Sequence, residues 1–127
     1  MRILLDTHIF LWFIDGDSRL PATARNAIVS GQNTVYLSAA SVWEVIIKNN
    51  LGKLPLPEPP ELLLPRQRRL HGIRTLLINE QTVLQLAHLP LFHRDPFDRI
   101  LICQALQHNL TIATVDPAFK AYPVNLL

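Results

Sequence analysis

Short apolar runs that stop at a polar residue, separated by longer helix-compatible stretches, constrain the fold of this chain more than any other feature. The first is Arg2-Ile3-Leu4-Leu5, which ends at Asp6 and reads as a buried strand with an aspartate at its carboxyl end. Pro21 opens a helix-compatible segment that Gly31 can close. Thr34 to Leu37 is β-branched and aromatic, which predicts a second strand. Ser38 can then cap a helix running through Val42, Trp43, Val45, Ile46 and Ile47 toward Asn50 and Gly52.

The second half repeats the alternation. Pro55 to Pro60 reads as an extended connection, and Glu61 to Leu70 as a helix broken or kinked at Pro65. Arg74 to Ile78 predicts a short strand, and Asn79 can cap a helix through His88 that Pro90 ends. Pro96 to His108 is the clearest helix, apolar on nearly every face and therefore expected to be buried. Thr111 to Val115 predicts a strand ending near Asp116, and Tyr122 to Leu127 a last edge strand. Strands alternating with helices imply an α/β fold, a three-layer sandwich with a mostly parallel central sheet flanked by helices. With 127 residues, a single domain over 1–127 is expected.

Composition narrows the class. Apolar residues make up 49% of the chain, enough for a sizeable core. The single cysteine, Cys103, rules out an intramolecular disulfide and reads as a small buried residue of the 96–108 helix. No stretch approaches the roughly 20 apolar residues that span a bilayer. The run Ile9 to Ile14 is short, flanked by Asp6, Asp15 and Asp17, and unlike a signal peptide. A soluble, cytoplasmic protein without membrane contact is the expectation. Trp12, Trp43 and Leu62-Leu63-Leu64 are expected mostly in the core. The mean hydropathy of +0.19 is apolar for a small monomer, so some apolar surface is expected at interfaces.

Four acids stand out, each with a structural alternative. Asp6 follows a strand, where it could cap the next turn. Glu44 sits in an otherwise apolar helix, where a buried charge needs a partner: a metal, or Lys48 four residues on. In Asp95-Pro96-Phe97-Asp98, Asp95 suits an N-cap, Pro96 the first helical position, and Asp98 the reciprocal acid of a capping box. Asp116, before Pro117, could be a turn residue. Taken together, carboxylates from four segments can converge where strands end, the usual place for a site in such sheets. Clustered carboxylates repel one another unless a cation intervenes, and all-oxygen donors suit Mg²⁺ or Mn²⁺. No Cys/His set has zinc spacing and no glycine-rich phosphate loop is present. His71, His88, His93 and His108 read as surface or turn residues.

The order Leu4-Leu5-Asp6-Thr7, Ser41-Val42-Trp43-Glu44, His93-Arg94-Asp95-Pro96-Phe97-Asp98-Arg99 and Ala113-Thr114-Val115-Asp116 resembles a PIN domain. More narrowly, it is similar to the VapC-like toxin ribonucleases of bacterial toxin–antitoxin pairs. The resemblance covers essentially the whole chain, and Asp-Pro-Phe-Asp-Arg is its most specific part. It implies a metal-dependent endoribonuclease with Asp6, Glu44, Asp98 and Asp116 as catalytic, metal-holding acids. Thr7, Ser41 and Thr114 match the hydroxyls that accompany those acids, and Asp95 is a further candidate beside them. It also implies an RNA substrate, Mg²⁺ or Mn²⁺ as cofactor, a homodimer and a cognate antitoxin protein.

The charge distribution allows such a substrate. Net charge is only +2, but Arg66, Arg68, Arg69, His71 and Arg74 cluster, with Lys48 and Lys53 earlier. Taken alone, that cluster reads first as a solvated helix face and only second as a phosphate-binding surface. Arg66, Arg68, Arg69, Arg74 and Arg99 are the candidate RNA contacts, with Arg99 equally suited to pairing with a nearby acid. Two other functions stay open at this point. One is a noncatalytic RNA-binding module with a PIN-like fold, disfavoured because acids in a phosphate groove would hinder it. The other is a phosphohydrolase of small molecules, which lacks its expected phosphate loop.

Overall fold

The computed structural model describes residues 1–127. Five strands, β1 (Arg2–Leu5), β2 (Thr34–Ser38), β3 (Arg74–Leu76), β4 (Thr111–Ala113) and β5 (Asn125–Leu126), form one sheet in the order β3-β2-β1-β4-β5. Every neighbouring pair is parallel. Six helices join or follow the strands: α1 (Thr7–Asp15), α2 (Ala22–Val29), α3 (Ala39–Asn50), α4 (Pro60–Leu70), α5 (Glu80–Gln85) and α6 (Pro96–His108). The parallel α/β sandwich anticipated from the alternation is the fold observed.

The period-two geometry of β1 explains why both faces of the sheet need helices. Ile3 and Leu5 join one apolar cluster with Ile9 and Phe10 of α1, Ile28 of α2, Val45 of α3 and Leu64 of α4. Leu4 joins the other, with Leu101, Ile102 and Cys103 of α6, Ile112 of β4, and Phe119. All three β1 residues are fully buried. This explains why an uninterrupted apolar run, rather than an alternating one, marks the central strand. β1 also lies beside the crossover where strand order reverses, with β2 on one side and β4 on the other. Loops leaving the carboxyl ends of strands diverge there and open a crevice.

Several segments depart from expectation. The run Ile9 to Ile14 belongs to α1, which the sequence reading left unassigned. Gly16 closes that helix in the left-handed region at φ 65°, where glycine carries no steric penalty. The last three strands are shorter than expected, and the helix capped by Asn79 tightens into a single 3-10 turn over Leu86–His88. Trp43 is 54% exposed rather than core. It faces out of α3 and meets Phe97 edge to face, with ring centroids 5.1 Å apart. Of the leucine run, Leu63 and Leu64 are buried but Leu62 is exposed, as helical spacing requires of three consecutive residues.

Candidate metal centre

Asp6 stands at the junction of β1 and α1, directly on the crevice. Its backbone N–H donates to Ala113 O at 2.9 Å, so the β1–β4 ladder itself fixes its position. Asp6 occupies the N-cap position of α1, yet its carboxylate makes no capping hydrogen bond. The helix-cap explanation for this residue therefore fails. The carboxylate instead accepts from Thr114 Oγ1 at 2.8 Å. Thr114 Oγ1 in turn accepts from the Asp116 N–H at 3.0 Å, which ties the loop after β4 to the end of β1.

Glu44 reaches the same place from the middle of α3 and is 4% exposed. Thr7 Oγ1 donates to Glu44 Oε1 at 2.8 Å and lies 2.9 Å from Ser41 Oγ. Lys48 Nζ donates to Glu44 Oε2 at 2.5 Å, so the i,i+4 pair foreseen as an alternative to metal is formed. That contact holds the Lys48 ammonium above its ordinary pKa.

At the start of α6 the two aspartates take different roles. Asp95 Oδ1 accepts from the Phe97 and Asp98 N–H groups, at 2.9 and 3.2 Å, and is the N-cap. Asp98 is not tied back as its capping-box partner. Its Oδ2 lies 2.7 Å from His93 Nε2 instead. Asp95→Ala is accordingly expected to cost about 1 kcal/mol of stability, read as a shifted denaturant midpoint. Asp116 Oδ1 caps the turn that follows it, accepting from Ala118 N–H at 2.9 Å.

Asp6, Glu44, Asp95, Asp98 and Asp116 all line one open cleft of about 370 Å³. Burial raises the Asp6 pKa, with the Glu44 charge adding to it against the Thr114 hydrogen bond. Burial likewise pushes Asp98 up to about 6, with Asp6 and Asp95 adding to the shift and the His93 hydrogen bond opposing it. Burial first, and neighbouring acids second, thus disfavour the ionised forms of Asp6 and Asp98, a condition that a bound cation relieves. Carboxylate oxygens from several elements are a hard donor set that suits a divalent ion.

Residues 3–125 match the PIN domain. The chain belongs to the PIN-domain family. Over 65 residues this PIN domain is 45% identical to ribonuclease VapC16 of Mycobacterium tuberculosis, a match spanning 48% of this chain and 46% of that protein. The match thus spans less than half the relative's length. Among solved structures, the fold is similar to VapBC2 from Rickettsia felis bound to a promoter DNA fragment. That likeness has a TM-score of 0.73 at 18% identity and covers 100% of this chain and 98% of the other. A toxin–antitoxin complex from Klebsiella pneumoniae gives a TM-score of 0.63 at 18% identity, covering 98% and 95%.

The PIN domain's basic residues are distributed otherwise than expected. Arg99 is only 9% exposed and does not line the acidic cleft. Its Nη1 donates to Pro90 O and His93 O at 2.9 and 3.2 Å, and Nη2 to Leu89 O at 3.1 Å. None of Arg66, Arg68, Arg69 and Arg74 lines the acidic cleft. Arg66 pairs with Glu58, and Arg68 Nη1 donates to Ile73 O at 3.0 Å. Arg74 begins the edge strand β3, paired in register with Tyr36 of β2 and away from the acidic cleft. The cations that do line the cleft are Lys48 and Arg19. His93, read from sequence as a turn residue, also stands in the cleft against Asp98. Its position five residues before Asp98, across the cap, was the only available signal.

Proposed function

We propose that this PIN domain, acting as a single unit over residues 1–127, is a metal-dependent endoribonuclease and the toxin of a toxin–antitoxin pair. One observation carries the reading: in a PIN-family chain, five carboxylates from four segments line one cleft at the carboxyl ends of the central strands. The similarity to a ribonuclease VapC and to toxin–antitoxin structures supports the substrate and the partner.

Asp6, Glu44, Asp98 and Asp116 are the residues that would hold Mg²⁺ or Mn²⁺. Bound there, a divalent ion supplies Lewis acidity, lowering the pKa of a water and offsetting charge on the phosphodiester. The chain's own groups prepare that chemistry. Thr114 and Thr7 fix the orientation of the Asp6 and Glu44 carboxylates, so little ordering remains on binding. Lys48 and Arg19 set positive charge at the cleft, where a polyanion would otherwise meet only acids. Asp95 stays with the helix N-terminus, and its charge helps keep the Asp98 pKa high.

The partners follow from the same reading. Leu77, Val83 and Leu84 are 72, 48 and 62% exposed around α5, an apolar surface suited to a homodimer. A cognate antitoxin would cover the cleft and restrain the activity. No helix is long and apolar enough to cross a membrane.

Incubating the purified chain with structured RNA should give cleavage that needs Mg²⁺ or Mn²⁺ and stops with chelator. Coexpression with the product of the neighbouring reading frame should yield a stable, inactive complex by sedimentation. RNA binding without cleavage under any divalent ion would replace the enzyme reading with a binding module.

A further inference from the structure

Resting on the metal-dependent reading above, we propose that His93 is a direct nitrogen ligand of the ion and tilts the site toward Mn²⁺ over Mg²⁺. His93, Asp98 and Asp116 each offer a donor atom, and these atoms lie within 4.8 Å of one another. A histidine serving only to balance Asp98 needs no third partner. The Asp116 oxygen completes a three-donor set around one point, a separation that a single ion of ligand distance about 2.1–2.4 Å can bridge.

The loop residue is also held in place, as a ligand must be if binding is not to spend its energy on ordering. The His93 backbone N–H donates to Tyr122 Oη at 2.9 Å, and its backbone carbonyl accepts from Arg99. Its ring lies against Phe119, which is fully buried. Two backbone contacts and one ring contact thus hold this residue at the cleft, with its side chain 21% exposed. Mg²⁺ prefers oxygen donors and near-ideal octahedral geometry, whereas Mn²⁺ tolerates looser arrangements and accepts an imidazole nitrogen more readily. One histidine among carboxylates is therefore a discriminating ligand.

Pulsed electron paramagnetic resonance on the full chain loaded with stoichiometric Mn²⁺ tests this directly. The wild type should show ¹⁴N modulation from a coordinated imidazole. His93→Ala should lose it and His8→Ala should keep it, since His8 also lines the cleft. In calorimetry with MnCl₂ and MgCl₂, His93→Ala should weaken Mn²⁺ on the order of tenfold and Mg²⁺ by less than about threefold. Bound Mn²⁺ without ¹⁴N modulation, or modulation surviving in His93→Ala, would overturn the ligand assignment while Asp98-dependent binding keeps the acidic centre. Failure of the wild type to bind Mn²⁺, or equal binding by Asp98→Asn, would overturn both.

Discussion

Asp98→Asn is expected to lower RNA cleavage on the order of 10²-fold or more while leaving the metal-free protein at least as stable as the wild type near pH 7.5. The two effects have one cause. Asp98 is held largely out of water beside other acids, so its carboxyl titrates at about 6 in the fold instead of 3.8. The folded state therefore binds that proton more tightly than the unfolded chain does. Stability from this group is greatest below 3.8 and is lost as pH rises through the window to about 6. Above that window the ionised side chain costs the metal-free fold on the order of 1–2 kcal/mol, after discounting for its partial exposure. Asparagine keeps the shape and drops the charge. In chelator, the variant's melting temperature should match or exceed the wild type's at pH 7.5, with the gap closing near pH 4. Added Mn²⁺ or Mg²⁺ should stabilise the wild type and not the variant. Cleavage retained in Asp98→Asn would remove Asp98 from the site. A strongly destabilised variant in chelator would make it a structural residue.

Residue spacing alone did not divide the Asp95/Asp98 pair; only the family resemblance gave Asp98 to the metal and left Asp95 as the cap. Both aspartates satisfy the spacing of a capping box, and local spacing says nothing about a third group arriving from another segment. His93 is that group, and it comes from a loop without periodicity. The strand-end acids were easier. Asp6 directly follows β1, and Asp116 comes shortly after β4, two strands whose apolar character already requires burial, and a parallel sheet gathers such ends. Glu44 was legible as a charge that needs a partner, and Lys48 as one candidate. The helix α1 escaped notice because Ile9 to Ile14 is a run without helical period and Asp6 does not act as a cap. Trp43 was misplaced by hydrophobicity alone: its helix turns Val45 inward and leaves the indole at the surface against Phe97. That the candidate arginines stand apart from the acids was hidden for a related reason. Charge in a sequence carries no record of which strand it will join, or whether carbonyls already claim it.

Arg99 is the clearest such case, and Arg99→Ala is expected to destabilise the fold by about 3 kcal/mol or more. The guanidinium is 9% exposed and no carboxylate lies within ion-pairing distance of it; backbone carbonyls of Leu89, Pro90 and His93 surround it instead. Removing it strips partners from three carbonyls and leaves a void beneath the loop that carries His93. Tyr122 cannot compensate, since its hydroxyl already donates to Pro90 O. Lysine would keep the charge but not the fork that serves several carbonyls at once, so Arg99→Lys should recover only part of the loss. The denaturant midpoint of both variants should fall, and amide exchange should rise first across residues 89–93. Cleavage should fall with it, because the loop presenting His93 loses its anchor while the carboxylates stay in place. An Arg99→Ala protein of wild-type stability and exchange, but with weakened RNA affinity, would return this residue to the substrate and remove the clamp.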